Sequence, residues 1–530
     1  MSGKAKDKKE YFPFLLLGLL VVGMLPWLVF DANYALRTDV AWHVLSSSRF
    51  IEGGTMSQDF SETNPPLIIL VYAIPALLSA MTNIPVYYFP FYMMLILNIA
   101  SAFMVYRILK TGKIADEILS AVIGATSFIA MTLITAYETG QREHLIITGL
   151  LPFFLAQYTI SKQAPVPKGL LHTALIFGGI LILIKPHYGL VPTLVFAVRA
   201  LQRGVLAVIK SPDFIILSIL TASYILVCLT FFMDYITQIL PDVIDLYVPY
   251  GNSPEDTMIT GVIFTVIIVA LSVGAFFQKD SKNLTGWILF AAFICLAPPL
   301  VQGKGFIYHF LPSMVLVSLA VIIMTYEFLR SEIKQKAMPA LFAMGMALGA
   351  GYFWHSPNPE FPTHENYAQR DFPEMLNKYA QGGHFITVMD NIGLSMPSAL
   401  YTTADSGMRH PSLWFLTAFA QENADQGTVQ ARLGAQELYE YKEKYARLMV
   451  EDLRKYKPEI ITVTKVEEGW PEIFEKYYVY DFFEEHEELR EEWSRYEFFK
   501  EVVIPKKDYF GGLDFENESV FTIYKRKSRN

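Results

Sequence analysis

The chain has 530 residues, of which 53% are hydrophobic, 14% aromatic and only 18% charged, and its formal net charge is −8. Soluble domains contain about 25% charged residues, so this composition predicts an integral membrane protein. The acidic balance leaves no excess of basic residues for neutralising phosphates, which argues against a nucleic-acid partner. The two cysteines, Cys228 and Cys295, lie in apolar runs and indicate neither a disulfide framework nor a zinc site.

The first apolar segment runs from Phe12 to Phe30 behind a basic head. It stays bulky to its end and lacks a small-residue cleavage site, so we interpret it as a retained span and not as a signal peptide. The positive-inside rule keeps the lysines of the head in the cytoplasm, and these are Lys4, Lys6, Lys8 and Lys9. The loop that follows would then emerge on the outer side of the membrane.

This opening loop, residues 31–85, ends in an apolar segment from Pro66 to Ala80. The segment is shorter than the roughly 20 residues that a span needs, and it contains Pro75, so we predict a juxtamembrane helix at the interface. Val86 to Leu109 then becomes the second span. On that choice twelve basic residues fall in cytoplasmic loops, namely Lys110, Lys113, Lys162, Lys168, Arg199, Arg203, Lys210, Lys279, Lys282, Arg330, Lys334 and Lys336.

Further spans are predicted at 116–136, 145–161, 169–186, 189–202, 213–232, 258–277, 284–301, 307–328 and 338–354. The segment 189–202 is the weakest because it is too short to cross unaided. The expected fold is an α-helical polytopic membrane protein of about eleven transmembrane helices, residues 1–354, with a C-terminal soluble α/β domain, residues 355–530. An odd number of spans places that domain on the outer side.

The predicted terminal domain combines strand-like and helical patterns. Alternating apolar residues indicate strands at 384–390, 459–465 and 519–525, and "QELYEYKEKYARLMVEDLRKY" between two of them is typical of a helix. The acidic stretch 482–501 is predicted to be a helix whose charges form a solvated face.

Polar residues gather at the predicted outer ends of the spans, where they are informative because a charge at mid-bilayer costs about 2.5 to 3.5 kcal/mol. The four clusters are the opening loop and residues 137–144, 185–189 and 302–309. A bundle would bring them around one cavity, with carboxylates on one side. The basic and histidine side chains on the other side would be Arg142, His144, Lys185, His187, Lys304 and His309.

This pairing of groups suits glycosyl transfer from a lipid-linked donor. Cations near the membrane surface can hold a polyprenyl phosphate and stabilise it as it leaves. A separate carboxylate can act as general base toward an incoming hydroxyl, which predicts a single displacement with inversion.

The opening loop resembles that of the class C glycosyltransferases that use polyprenyl-phosphate sugars, in the branch of the protein mannosyltransferases and the aminoarabinose transferase of lipid A. The resemblance rests on Asp39, "AWHVLSSSRFIEGG", "DFSETN" and Pro65-Pro66-Leu67, within the same overall architecture. It implies that Asp39 is the catalytic base and that outer basic residues bind the donor phosphate. Val40 follows Asp39 where the family has an acidic pair, and Asn64 stands where the aminoarabinose branch has lysine.

Each candidate residue also has a plain structural interpretation. Asp39 is our candidate base, although aspartate is also favoured as a helix N-cap. Arg142, Lys185, Lys304 and His309 are candidate donor-phosphate ligands, although Arg142 and Glu143 together would also stabilise the end of a span. Asp59, Glu62, Glu138, Glu143, His144 and His187 are assigned acceptor or supporting roles.

No cofactor is expected, although Asp39, Asp59, Glu62 and Glu138 offer hard oxygen ligands for a divalent cation. The expected partners are a polyprenyl-phosphate sugar, membrane lipid and an envelope glycan, lipid or protein acceptor. The expected location is a bacterial inner membrane, with the N-terminus cytoplasmic. The alternatives are an oligosaccharyl transferase or O-antigen-type ligase, and a lipid or solute transporter. A transporter would favour midplane charges on inverted repeats, and no repeat is visible.

Overall fold

The computed structural model describes residues 32–135, 138–250, 254–276, 282–332, 362–465, 472–504 and 519–527. The predicted spans at Phe12 to Phe30 and at 338–354 lie outside the described residues. So do the lysines of the basic head and Lys279, Lys334 and Lys336.

The described chain is mostly helical. In order along the first part of the chain, the α-helices are α1 Thr38–Ile51, α2 Leu67–Thr82, α3 Phe89–Thr111, α4 Glu117–Ile129, α5 Arg142–Lys162, α6 Lys168–Ile182, α7 Leu190–Arg203, α8 Val205–Ile209, α9 Pro212–Phe231, α10 Leu240–Asp242, α11 Pro254–Phe276, α12 Lys282–Ile294, α13 Ala297–Gln302 and α14 Leu311–Glu332. Short 3₁₀ or π segments lie between them at Val86–Tyr88, Ala130–Ile134, Pro186–Gly189, Tyr235–Ile239, Val243–Tyr247 and Ile307–Phe310.

The last part of the chain contains helices and a sheet. Its elements in order are α15 His364–Tyr367, α16 Asp371–Tyr379, β1 His384–Val388, α17 Ser395–Tyr401, β2 Asp405–Ser406, α18 Phe415–Asp425, α19 Ala435–Tyr456, β3 Ile460–Thr464, α20 Glu472–Lys476, α21 Val479–Glu485, α22 Glu487–Trp493, β4 Tyr496–Ile504 and β5 Ser519–Arg526.

Within the described residues, seven helices are long and apolar enough to cross a membrane, which identifies a helical membrane protein. They are Val86–Thr111, Glu117–Ile134, Arg142–Lys162, Pro212–Phe231, Pro254–Phe276, Asn283–Gln302 and Ile307–Glu327. Each coincides with a predicted span. The predicted spans at 169–186 and 189–202 are instead the shorter helices α6 and α7, of 15 and 14 residues.

The segment after the two prolines of the opening loop is the 16-residue helix α2, which continues through Pro75. It ends at Asn83, whose φ of 57° puts the backbone in the left-handed conformation that commonly stops a helix. The prediction of a helix shorter than a normal span is confirmed. Its position at the membrane interface stays a prediction.

The described chain folds as two compact units. The helical unit holds the described residues of 88–227 and 252–358. The mixed unit holds the described residues of 33–87, 228–251 and 359–530, so the opening loop groups with the terminal region.

Close packing of α5 against α6 organises one end of the helical unit. A Cβ added at Gly149 would lie 2.5 Å from Leu181 Cβ, and one at Gly178 would collide with the Gly149 carbonyl oxygen. The two glycines therefore let the helix backbones approach closely, as small residues do between membrane helices. Because the connection between these antiparallel helices is short, the start of α5 and the end of α6 lie at the same end of the pair.

A five-stranded sheet of order β2-β1-β3-β5-β4 forms the centre of the terminal region. β1 is parallel to β2 and β3, whereas β5 is antiparallel to both β3 and β4. The three predicted strands are present as β1, β3 and β5, and the predicted helix between the first two is α19. An aromatic-rich core fills one face of the sheet and also takes in Leu246 and Tyr250 from the segment after α9.

One prediction in this region is wrong in part. The acidic stretch 482–501, predicted as a single helix, contains the end of α21, all of α22 and the first residues of β4. From Tyr496 onward the chain pairs with β5, with an irregularity between Phe498 and Lys500. Tyr, Phe and Val favour strands, and the exposed Glu497 and Glu501 suit an edge strand. The many charged residues of this stretch are typical of a solvated helix, so the sequence did not indicate the change from helix to strand.

Candidate functional site

Three connections of the helical unit meet in a polar group, which we call the span-end cluster. Its members are Arg142, Glu143, Lys185, His187, Gln302 and His309, and Lys304 lies in the loop between the last two. Lys185 forms an ion pair with Glu143, and His309 Nε2 lies 3.6 Å from Glu143 Oε1. Gln302 Nε2 lies 3.0 Å from His187 Nε2. Three of the four predicted polar clusters therefore lie together.

The helices explain why these connections meet. Glu143 lies in the first turn of α5, where a carboxylate interacts favourably with the helix dipole. Lys185 follows the end of the antiparallel helix α6, at the same end of the pair. Gln302 ends α13, and only a short loop separates it from His309. The Tyr188 hydroxyl donates a hydrogen bond of 2.9 Å to the His309 carbonyl oxygen and links two of the connections.

The span-end cluster is buried. Glu143 is 0% exposed, Lys185 5% and Arg142 7%. Burial lowers the pKa of Lys304 to about 8, which still leaves it mainly cationic at neutral pH. Lys185 and Arg142 lie beside the Glu143 carboxylate, and donors of this kind also suit an anionic ligand.

His144 belongs to a different set of contacts. Its Nε2 lies 3.1 Å from Asn98 Nδ2, and its Nδ1 accepts a hydrogen bond of 3.3 Å from the Gly140 N–H. The Thr148 hydroxyl donates to Asn98 Oδ1 at 2.8 Å. These contacts join α3 to α5, so His144 has a structural place between helices. Glu138 is half-buried in the tight turn before α5, where its N–H donates to the Thr135 carbonyl oxygen.

Asp39 lies in the mixed unit, in the first turn of α1. The N-cap of this helix is Arg37, which makes no side-chain capping bond, so the alternative of Asp39 as an N-cap is wrong. The start of the helix is held by the terminal region, because the Leu36 N–H donates a hydrogen bond of 3.0 Å to the Tyr401 hydroxyl. That hydroxyl also lies 2.6 Å from His364 Nδ1.

Glu62 organises the turn that leads into α2. It is 2% exposed, and its Oε2 lies 3.1 Å from His43 Nδ1. Its Oε1 accepts hydrogen bonds from the backbone N–H of Asn64, at 2.8 Å, and from the Asn64 side chain. Glu62 therefore joins α1 to the "NPPL" turn. Asn64, which stands where the aminoarabinose transferase branch has lysine, stabilises this turn through its hydrogen bonds to Glu62.

Asp59 connects the opening loop to the terminal region. Its carboxylate accepts a hydrogen bond of 2.8 Å from the Thr55 N–H and pairs with Lys455 at 2.5 Å. Arg49 near the end of α1 donates to the carbonyl oxygens of Asp59, Ser406 and Met408. The loop and the terminal region are thus tied together by a salt bridge and by an arginine fork.

His43 and Arg409 make buried contacts that the sequence did not reveal. His43 pairs with a carboxylate 19 positions away, and nothing in its local sequence indicates that contact. Arg409 binds Asp452 at 2.9 Å and donates to the Ser57 carbonyl oxygen at 3.0 Å. For His43, the sequence offered one signal. It lies four residues after Asp39 on a predicted helix, which places both residues on one face.

Comparison of the sequence with models of protein families gives no match, and comparison with characterised proteins gives none either. Among the residues that the structure describes, no three His, Cys, Asp or Glu side chains are grouped to hold a metal ion.

Proposed function

We propose that this protein is a membrane glycosyltransferase that moves one sugar from a polyprenyl-phosphate donor to an envelope glycan, lipid or protein acceptor. The observation that carries the proposal is the span-end cluster, in which Arg142, Lys185 and His309 surround Glu143 where three connections of the helical unit meet. Such a cluster suits an anionic headgroup at the end of membrane helices, because a phosphate accepts charge-assisted hydrogen bonds from basic side chains.

The proposed reaction is a single displacement. Asp39 takes the proton of the acceptor hydroxyl as its oxygen attacks the anomeric carbon of the donor sugar. The new glycosidic bond forms as the bond from that carbon to the phosphate oxygen breaks. The electron pair leaves with the polyprenyl phosphate, whose charge is stabilised by Lys185, Lys304 and Arg142. Attack from the face opposite the leaving group inverts the anomeric configuration.

The mixed unit has a supporting role in this proposal. Tyr401 holds the backbone just before Asp39, and Glu62 joins α1 to the turn before α2. Positioning of a base matters, since a small displacement of the reacting groups costs a large factor in rate. We place this unit on the outer side of a bacterial inner membrane, in accord with the charge rule.

The test is transfer by the purified full-length protein from a panel of radiolabelled polyprenyl-phosphate sugars to envelope extract. Asp39→Asn should lower the turnover by about 10² to 10⁴, the usual contribution of a general base. Glu52→Gln is the matched control, because Glu52 is an exposed carboxylate at the end of the same helix.

Three results would overturn the proposal or part of it. Transfer only from diphosphate-linked oligosaccharides would identify a ligase of preassembled glycans. No transfer from any lipid-linked sugar, with uptake of lipid or solute by reconstituted vesicles, would identify a transporter. Full turnover by Asp39→Asn would remove Asp39 from the role of base.

A further inference from the structure

Three stretches of the mixed unit meet at one place, which we call the junction. They are residues 34–36 before α1, Tyr87 just beyond the opening loop, and residues 362–364 at the start of the terminal region. The Ala35 N–H donates a hydrogen bond of 3.0 Å to the Pro362 carbonyl oxygen, and Tyr34 forms an isolated antiparallel bridge with Thr363. The start of the opening loop is therefore bound to the first described residues of the terminal region.

Tyr401 and His364 form the centre of the junction. The Tyr401 hydroxyl accepts a hydrogen bond of 3.0 Å from the Leu36 N–H and lies 2.6 Å from His364 Nδ1. The ring of Tyr87 stacks on both side chains, with its centroid 4.4 Å from that of Tyr401 and 5.0 Å from that of His364. A hydrogen bond holds one end of the opening loop and a ring stack holds the other, and both act on the same two side chains.

The junction lies directly before the helix that carries the candidate base. Leu36 precedes Asp39 by three residues, and α1 begins between them at Thr38. Helix α17, which ends at Tyr401, also packs against α1. Asp39 is half-buried and so stays open to solvent, whereas Tyr401 and His364 are only 8% and 6% exposed. The buried pair thus fixes the backbone next to an accessible carboxylate.

We propose that Tyr401 and His364 are positioning residues for Asp39. By holding both ends of the opening loop, they fix the start of α1 and with it the direction in which the Asp39 carboxylate meets the acceptor hydroxyl. The inference rests on the proposed glycosyl transfer. It adds that catalysis depends on the terminal region through a defined contact, so that a loop without this contact binds the substrates but reacts slowly.

A positioning residue and a residue that serves only the fold have different kinetic effects. Displacing a base by about 1 Å can lower the rate by about 100-fold, although the substrates still bind. Such a change lowers kcat and kcat/KM equally and leaves KM unchanged. A purely structural residue lowers the unfolding temperature and the amount of folded protein, while the folded fraction keeps its kcat.

The variants separate the hydroxyl from the ring stack. Tyr401→Phe removes the hydroxyl and keeps the ring on which Tyr87 stacks. The matched control is Tyr367→Phe, because Tyr367 is 1% exposed, its ring packs against Tyr401 at a centroid distance of 4.9 Å, and its hydroxyl lies 3.1 Å from Ser398 Oγ in the terminal region. At the second position, His364→Leu removes the polar ring, whereas His364→Asn keeps a polar atom near the place of Nδ1.

Hydrogen exchange of the full-length protein in nanodiscs tests the junction without any substrate. Loss of one hydrogen bond should speed the exchange of backbone amides in peptides that cover residues 33–40 by about fivefold in Tyr401→Phe. The same peptides should exchange at the wild-type rate in Tyr367→Phe. Wild-type exchange of this segment in Tyr401→Phe would overturn the inference, because the hydroxyl would then not hold the loop.

The transfer assay then measures the effect on the base. Tyr401→Phe should lower kcat by about ten- to a hundredfold, with wild-type KM for donor and acceptor. His364→Asn should retain more activity than His364→Leu, and Tyr367→Phe should match wild type.

Two further results overturn the inference. Faster exchange with wild-type kcat in Tyr401→Phe would show that the junction serves only the fold. Equal losses of kcat in Tyr401→Phe and Tyr367→Phe, with lowered unfolding temperatures, would show a general destabilisation of the terminal region. If wild type transfers no lipid-linked sugar, the proposed function fails, and with it the role of the pair in positioning a base, while the exchange result still decides whether the pair holds the loop.

Discussion

Lys185 and Glu143 form an ion pair in which both side chains are buried, although the two residues lie 42 positions apart in the sequence. Removing one member of an isolated buried pair costs about 3 to 5 kcal/mol, and the cost is smaller here because the Arg142 cation also lies near Glu143. Lys185→Met should therefore lower the free energy of unfolding, by less than about 3 kcal/mol. Thermal unfolding of the detergent-solubilised protein measures the change.

The double variant Lys185→Met, Glu143→Gln is the control for this prediction. It removes both charges but also takes the Glu143 carboxylate away from Arg142, so it should recover only part of the lost stability. A double variant as unstable as the sum of the single changes would show that the two side chains act independently. Binding of lipid phosphate should stay weak in both variants, because each lacks the Lys185 cation.

Lys304 gives the proposed donor site a pH dependence. Burial lowers the pKa of Lys304 to about 8, so its positive charge is present below that pH and is lost above it. Affinity for a polyprenyl-phosphate sugar should fall several-fold as the pH rises from about 7 to about 9.5. The sugar-linked phosphate is a diester whose own charge stays constant over this range. Equilibrium binding across the range tests the prediction.

Lys304→Arg is the matched variant, since arginine keeps its charge throughout this range. It should bind with an affinity that varies little with pH. If wild type and Lys304→Arg lose affinity in parallel, another group controls the binding. If wild type shows no loss, Lys304 does not contact the phosphate.

The membrane helices were predictable because the signal is simple. A helix such as Pro254–Phe276 is a long apolar run without charges beyond its first turn, and length and hydropathy alone define it. Helix α6 is shorter than its prediction, because its 15-residue core is followed by the turn at Pro186–Gly189. The strand β4 was missed since its charged exposed residues resemble those of a solvated helix.

The sequence predicted which polar residues lie close together only where this follows from the order of the spans along the chain. Residues at the ends of consecutive spans must lie near one another, which is why Glu143, Lys185 and His309 were grouped correctly. The pairing of His43 with Glu62 depends on the path of the loop between them. No local pattern encodes that path, so a single sequence does not reveal the contact.

The hydrogen bonds of Arg49 lead to a further prediction about the opening loop. Its guanidinium donates to three backbone carbonyl oxygens, those of Asp59, Ser406 and Met408, at 2.7, 2.5 and 2.9 Å. A lysine ammonium lacks the planar fork, so Arg49→Lys should lower the free energy of unfolding by about 1 to 3 kcal/mol. Arg454→Lys, at a side chain that is 50% exposed, is the control and should cost little. Equal unfolding temperatures for both variants would contradict a role for the fork.

The burial of the Asp390 carboxyl group predicts how the stability of the mixed unit depends on pH. It follows β1, and its Oδ1 is buried and has no hydrogen-bond partner among the described residues. Burial raises the pKa of Asp390 to about 6, against 3.8 for the exposed group. Between these values the folded state binds more protons than the unfolded state, so protonation stabilises the fold. This contribution is fully present below about pH 4 and is lost as the pH rises through about 6.

Asp390→Asn removes the titration and supplies a neutral side chain of the same shape. The variant should be more stable than wild type at about pH 8, by roughly 1 to 3 kcal/mol, and should lose the part of the pH dependence that centres on about pH 6. Thermal unfolding of the full-length protein across this range measures both effects. Asp405→Asn, at an exposed carboxylate of β2, should retain the wild-type profile. The prediction is contradicted if the stability of wild type rises between about pH 4 and about pH 7 and Asp390→Asn shows the same profile. Asp390 would then be ionised at no cost, because a carboxylate whose pKa is unchanged by folding contributes nothing to the pH dependence of stability.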